Sequence, residues 1–571
     1  MTRPAAPVTE RSPEPGRSRQ ITGTIGRAAV LIAALTATGR VIGFGRQLVF
    51  ARTVADSCLG SAYTTANLVP NIIYDVVLGG ALASIMVPVL AGSAERSAAD
   101  PQAARETSQI SSALLTWTVL LLAPVSVILA LTASPVISAL IPHLQGCSKA
   151  EAVAVGSHML EVFAPQILLY GLAVVLYGIL QAHRRFAGPA LAPVLSSLVV
   201  IGAYLAFVPL GVAHTGRLAG LSAAAQLTLS LGTTAGVAAL VLTALVPALR
   251  LRLRLRPVLR FPDGVARRVR SLAMVGIAAL VAQDAALVVV TRLANGHGGN
   301  GAVVLYSYGW QIFFAAYAVL AVPVAVSAFP VLSARGRAGA ARAASDQAAS
   351  DQAASEQAEF DTATAGSTRA VLLVSWLGAA LLAGAAVPAA RLFTPRADQA
   401  IELALALAAL APGLVGYGLV ACLSRVLLAD GRHRPAAAGM AGGWLIVIVA
   451  DIVAVELVAP RWVVPVLGLG NTVGMIVSGA ALAAAVRRAR GAQALQGAMR
   501  AAGAGLASAL AGAAAGASLS AAVPTRGFFL NALVALLACC CAVLAFGVTA
   551  YALDRGDLRG LVATVRRRAA L

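Results

Sequence analysis

Apolar runs of about 20 residues or more, the length at which a helix spans the hydrocarbon core of a bilayer, recur from Ile25 to Leu553 and leave room for little else. We read fourteen of them, at 28–54, 62–92, 108–141, 151–182, 187–213, 221–248, 267–294, 301–333, 369–394, 398–429, 435–459, 461–486, 496–523 and 527–553. Transmembrane β-strands would alternate apolar and polar residues in blocks of roughly 10. These blocks are longer and rich in Ala, Leu and Val throughout. The expected fold class is therefore an all-α polytopic membrane protein of about 14 transmembrane helices. Of the 571 residues, 59% are hydrophobic and 12% charged, with a mean hydropathy of +0.84, which excludes an ordinary soluble domain.

A net charge of +20 raises the question of a nucleic-acid partner. The position of the charge answers it. Assigning connections alternately to two sides collects most basic residues, including the stretch Arg250 to Arg270, Arg487, Arg488, Arg490 and Arg566 to Arg568, on one face. The positive-inside rule reads that face as cytoplasmic, with both termini on it. The excess is then topology plus attraction to anionic lipids, in a cell membrane, and no nucleic acid is expected.

The organisation expected is a disordered cytoplasmic tail at 1–25, a first bundle at 26–248 holding spans one to six, a basic cytoplasmic linker at 249–266, a second bundle at 267–489 holding spans seven to twelve, and spans thirteen and fourteen with a basic tail at 490–571. A polar, repetitive stretch, SDQAASDQAASEQAEF, lies within 335–368 and reads as a solvated cytoplasmic loop or short helix. No cleavable signal peptide is apparent, so the first apolar run is expected to stay as the first span.

Enzymatic chemistry finds little support. The six histidines are scattered, no Cys/His spacing resembles a zinc site, and no GxxxxGK[ST] phosphate loop exists, so no metal, cofactor or ATP hydrolysis is expected. Gly468, Gly470 and Gly474 lie inside a span and read as helix packing. Cys422, Cys539, Cys540 and Cys541 also lie inside spans. Cys58 and Cys147 fall in exterior connections, where disulfides persist. A bridge between them is one reading and two free thiols the favoured one.

Charges inside the spans are the stronger signal, because each costs roughly 2.5 to 3.5 kcal/mol at a helix centre. Arg40, Arg46 and Arg52 interrupt the first run and Asp75 the second. Arg52 is near the exterior end and is expected to snorkel toward headgroups. Arg40 and Arg46 lie deeper, where a functional role is favoured. Residues six apart are turned by about 240° on a helix, so gathering the arginines needs a broad cavity or a bend, which Gly43 and Gly45 offer. Asp75 reads equally as a gating group and as the ion-pair partner of the arginines. Pro70, Gly79 and Gly80 make its helix a hinge. Asp284 beside Gln283, Glu161 beside His158, and Asp451 are candidate coupling groups, although an interhelical hydrogen bond explains Asp284 as simply. Trp310, with Tyr306 and Tyr308, is either an interfacial belt or a substrate-lining group.

With these residues in view, the chain resembles the MurJ/MviN family of lipid II flippases, of actinobacterial type, within the multidrug/oligosaccharidyl-lipid/polysaccharide exporter superfamily. The resemblance is carried by the Arg40 to Arg52 element, by Pro70-Asn71 with Leu78-Gly79-Gly80 and Val87-Pro88, by GILQAHRRFAGPALAP at 178–193, by SAFPVLS at 327–333 and by GLVGYGLVACLSRVLLADGRHR at 413–434. It implies two pseudo-symmetric six-helix lobes, two extra C-terminal helices forming a lipid-tail groove, and a cationic cavity between the lobes lined by Arg40 and Arg46. Tyr74, Ser61, Gly309, Trp310 and the pair Ser196-Ser197 stand where many relatives carry other polar or charged residues.

The resemblance implies a non-enzymatic flippase moving a polyprenyl-pyrophosphate-linked peptidoglycan precursor; the mechanism expected is alternating access, and the reading of the residues adds Arg52, Asp75 and Trp310 to Arg40 and Arg46 as the candidate substrate-binding set. A flippase for another lipid-linked oligosaccharide, a cation-coupled multidrug exporter and a scaffold for cell-wall synthesis proteins are the alternatives. Anionic lipids are the other expected partners, and a monomer is expected.

Overall fold

The computed structural model describes residues 15–54, 57–76, 100–211, 215–216, 218–251, 256–259, 265–342, 350–523 and 527–557. The helices are α1 (Pro15–Thr53), α2 (Cys58–Val76), α3 (Pro101–Leu131), α4 (Ala133–Leu140), α5 (Lys149–Phe163), α6 (Gln166–Ala182), α7 (Ala187–Gly211), α8 (Ala223–Leu249), α9 (Val265–His297), α10 (Ala302–Arg342), α11 (Ser350–Gly384), α12 (Ala386–Phe393), α13 (Ala397–Leu410), α14 (Gly413–Ala429), α15 (His433–Val455), α16 (Val463–Arg490), α17 (Ala498–Ala522) and α18 (Phe528–Leu553). No strand occurs among the described residues. Eleven helices there, taking α5 with α6 and α13 with α14 as one each, are long and apolar enough to cross a membrane. The other three apolar runs fall on α1, α2 and α9.

Local chemistry sets the ends and the breaks. Asp100 and Ser148 cap α3 and α5 by accepting from the backbone N–H of Gln102 and Glu151, and Ser222 caps α8 in the same way. Arg487, Arg488 and Arg490 fill the last turn of α16, where cations suit the helix dipole, and Gly491 at φ +86° ends it. The repetitive stretch, expected as a loop or short helix, is helical where described: α10 runs on to Arg342 and α11 begins at Ser350. Its Ala, Gln and Glu content favours helix once the flanking spans have nucleated it.

The second half of the bundle repeats the packing of the first. α1 packs on α7 as α9 does on α15, α7 on α8 as α15 on α16, α2 on α5 as α10 on α13, and α3 on α6 as α11 on α14. The interruptions repeat too. α3 gives way to α4 and α11 to α12, with Pro135 and Pro388 each the third residue of the new helix. α5 passes to α6 at Ala164-Pro165 and α13 to α14 at Ala411-Pro412. Proline lacks the N–H that would continue each ladder, so the chain restarts at the same place in both halves. α17 and α18 pack on each other and lie against α11.

Helices already in lipid gain little from burying apolar surface, so close backbone approach carries the packing. α16 shows this, as its sequence suggested: a Cβ at Gly474 would stand 2.7 Å from the Gly443 carbonyl of α15, and one at Gly470 would overlap Asp451 Oδ1.

The halves meet tightly at one end of the bundle. Cys58, which starts α2, and Cys147, in the turn before α5, are joined there, with an S–S distance of 1.96 Å, so the favoured reading of two free thiols does not hold. Near them, Asn295 of α9 donates from Nδ2 to Thr65 Oγ1 at 2.9 Å and to the Leu140 carbonyl at 3.1 Å. Arg292 Nη1 donates to the Ala139 carbonyl. At the opposite end Arg490 pairs with Asp361 at 2.8 Å and Asp430 at 3.1 Å and covers the Phe360 ring. The segment after α8 is strapped to α3 there, with the Arg256 and Val258 N–H groups donating to Ser112 and Thr116 and Trp117 Nε1 to the Leu259 carbonyl.

Candidate functional site

Between the two halves lies a cavity of about 450 Å³. From the first half α1 contributes Arg46, Gln47 and Phe50, α2 contributes Tyr63, Thr64, Asn67 and Asn71, and α6 contributes Tyr170; from the second half α9 contributes Thr291, and α10 contributes Tyr306, Ser307, Trp310 and Gln311. Among the described residues, no carboxylate lines it.

Arg46 is its one cation among the described residues. The side chain is half-buried, and its Nε is shut off from solvent without a hydrogen-bond partner. A guanidinium N–H held dry and unpaired is costly, and an anionic acceptor in the cavity would satisfy it. The surrounding wall is braced by neutral hydrogen bonds: the Tyr63 hydroxyl lies 2.9 Å from that of Tyr204 and 2.7 Å from Thr233 Oγ1. The Tyr170 hydroxyl donates to Asn71 Oδ1 at 3.0 Å while its ring packs on Tyr74 at 4.3 Å.

The remaining sequence candidates fall in several places. Arg40 is exposed and outside the cavity lining. Arg52 is exposed and lines a different cavity, of about 690 Å³, at the disulfide end, where its Nη2 donates to the Leu392 carbonyl at 3.2 Å and its guanidinium faces the Phe528 ring. No ion pair joins Asp75 to the α1 arginines among the described residues. Asp75 instead lines a void of about 50 Å³ with Gln283, Trp310, Trp444 and Asn471. Trp310 borders both this void and the main cavity.

Asp284 and Asp451 are 4% and 0% exposed, and all four carboxylate oxygens lack a hydrogen-bond partner. The interhelical hydrogen bond, the alternative reading of Asp284, is therefore not made. Glu161 is exposed, outside these cavities. α1 runs unbroken through Gly43 and Gly45, where a Cβ would meet nothing within 4 Å; the close approach falls at Gly39, against Pro193 and Val194 of α7. α2 continues through the buried Pro70. Gly79 and Gly80 lie outside the described residues.

The sequence reading missed a legible signal. Ala-Pro followed by four residues and then Tyr-Gly-Leu occurs at 164–172 and again at 411–419, placing Tyr170 and Tyr417 at equivalent points of the two halves. Tyr170 lines the cavity, and Tyr417 joins the aromatic group behind Trp310.

Comparison with known proteins decides the family. The profile described as lipid II flippase MurJ matches residues 50–538. The chain belongs to the MurJ family. Lipid II flippase MurJ of Burkholderia cenocepacia is 29% identical over 183 residues, 32% of this chain and 34% of that protein. A probable lipid II flippase MurJ of Synechocystis is 30% identical over 193 residues, 33% of each. The chain thus matches about a third of the length of these curated MurJ relatives. Among solved structures, a lipid II flippase MurJ in an inward closed conformation superposes with a TM-score of 0.67 at 16% identity, covering 92% of this chain and 99% of that one. A multidrug resistance MATE family transporter, inward-facing, gives 0.59 at 16% identity, covering 81% and 98%. These two likenesses show the fold: a multi-pass helical membrane protein of the MurJ and MATE architecture.

Proposed function

We propose that this protein carries lipid II, the lipid-linked peptidoglycan precursor, from the inner to the outer leaflet of the cell membrane by alternating access. In this reading fourteen spans form lobes at 26–248 and 267–489 joined by the linker at 249–266, with spans thirteen and fourteen at 490–571, and both termini are cytoplasmic. The disulfide end is exterior and the Arg490 end cytoplasmic. Arg46 receives the pyrophosphate, Trp310 borders the passenger, and the polyprenyl tail stays in lipid. Arg40 and Arg52 stand toward the two mouths of the path and meet the anion as it enters and leaves.

The observation that carries this reading is the buried, unpartnered Arg46 Nε in a cavity lined by no carboxylate among the described residues. A pyrophosphate there exchanges water for charge-assisted hydrogen bonds, which offsets much of its desolvation. An inside-negative potential helps: two charges crossing about 100 mV are worth roughly 4.6 kcal/mol if nothing moves against them. Asp284 and Asp451 are the coupling candidates that remain buried, and Asp75 sits beside Trp310 as a gating group. A cation-coupled drug exporter on the same scaffold would want an acidic cavity, so this lining argues against it. Another lipid-linked oligosaccharide would use the same anion site.

Depletion of the protein in cells without a redundant flippase, with lipid II at the outer leaflet measured, tests the proposal. Exposure falls on depletion and is restored by the wild-type chain but not by Arg46→Ala. Unchanged exposure on depletion, or full rescue by Arg46→Ala, rejects it.

A further inference from the structure

We infer that the cavity divides its passenger, with Arg46 taking the diphosphate and the Trp310 ring taking the apolar face of the sugar attached to it. The inference rests on the proposed reading of the cavity as a lipid-diphosphate site and adds what that reading leaves open, namely how the glycan is told apart from the bare lipid.

Trp310 is built as a platform. Its ring lies nearly parallel to Tyr306 on one turn of α10 and to Phe313 on the next, at 6.1 Å and 17° and at 5.8 Å and 16°. Phe314, at 4.8 Å, and the edges of Tyr417 and Trp444 close in around it. A side chain so wedged has little rotamer freedom to lose when a ligand lands on it, so the contact is pre-organised. The ring is nevertheless only half-buried and borders the main cavity.

The rest of the lining supplies what a sugar needs beside an aromatic face. Gln47, Thr64, Asn67, Ser307 and Gln311 offer neutral donors and acceptors in both directions, and no carboxylate is among the described lining residues. Neutral amides and hydroxyls around one rigid indole suit a pyranose, with hydroxyls at its rim and C–H bonds on its face. Arg46 lies on the first half and Trp310 on the second, so a diphosphate–sugar unit bridges the halves. A passenger without the sugar engages only one of them.

Full-length protein in lipid nanodiscs tests this with two probes, polyprenyl pyrophosphate and the same lipid carrying one N-acetylglucosamine. Wild type is expected to bind the glycosylated probe at least about tenfold more tightly. Trp310→Leu is expected to abolish that preference while holding the bare pyrophosphate within about twofold, and Trp310→Phe to keep most of it. Equal weakening of both probes by Trp310→Leu, or no change in preference, overturns the inference. Arg46→Ala in the same assay weakens both probes if the diphosphate reading is right. If it weakens neither, that reading falls and takes this one with it; if it weakens both while Trp310→Leu leaves the preference intact, the sugar assignment alone falls.

Discussion

Removing the Asn295 side chain should open the bundle at its disulfide end. The amide is 1% exposed and spans the two halves, donating to Thr65 Oγ1 and to the Leu140 carbonyl. Asn295→Ala deletes both bonds and leaves two buried acceptors in the first half. A net hydrogen bond is worth about 0.5–1.5 kcal/mol, and a buried group left unpaired costs about 1–3 kcal/mol. Once the halves part, water satisfies the same groups, so the loss falls on the closed state alone. A shift of about 1–3 kcal/mol moves the equilibrium roughly 5- to 150-fold. The readout is labelling of Ser307→Cys, on the cavity wall, by a membrane-impermeant maleimide added from the disulfide side, with Cys422, Cys539, Cys540 and Cys541 replaced by Ser. The labelling rate should rise within that range for Asn295→Ala and by less for Thr65→Ala, which removes one of the two acceptors. An unchanged rate in a variant of normal thermal stability would refute the assignment of this contact as a seal between the halves.

Two further outcomes follow from contacts elsewhere. Gly474→Ala puts a Cβ 2.7 Å from the Gly443 carbonyl and 2.9 Å from the Val447 backbone nitrogen, so α15 and α16 must separate; overpacking of this kind costs about 1–3 kcal/mol, read as a lower midpoint in detergent melting, whereas Gly366→Ala, with nothing within 4 Å of its Cβ, should melt as wild type. Arg490→Ala leaves the largely buried Asp361 without its cation, leaves Asp430 with Arg432 alone, and uncovers Phe360; a loss of about 3 kcal/mol is expected, and Arg490→Lys should recover only part of it because a point charge does not reproduce the fork.

The span pattern was legible because it depends on runs of side-chain hydropathy, which a bilayer enforces regardless of tertiary detail. For the stretch around Ser350, polarity alone could not decide between loop and short helix: it reports exposure, while the Ala and Gln content favours the helix found from Ser350 onward. The site was legible in part. Arg46 stood out because a charge at that depth needs a reason, and the place of Arg52 near the exterior end set it apart, but depth says nothing of azimuth, so Arg40 could not be separated from Arg46 by depth alone. The wall of neutral hydroxyls and amides was invisible, since Thr, Asn and Ser inside a span are cheap and common, and only the packing of α1, α2, α9 and α10 brings them to one surface. The paired Ala-Pro and Tyr-Gly-Leu segments were readable and were missed because a repeat of this length shows only when two halves are aligned.

The separation of charges has a mechanical consequence. Were Asp75 paired with Arg46, an arriving anion would first have to displace a carboxylate, and the gain from binding would be the difference of two similar terms. Asp75 instead lines a separate small void with Gln283 and Trp310, and no carboxylate pairs with the Arg46 guanidinium among the described residues. The buried Asp284 lies on α9, eleven residues before Asn295; at 100° per residue these two share a face of the helix, three turns apart. Thr291, between them, lines the cavity. One rigid element therefore carries a buried carboxylate, part of the passenger's wall and the amide that closes the disulfide end. A change of charge at Asp284 that rotates or shifts α9 acts on all three at once, and it needs no chain of intermediate side chains to reach the seal.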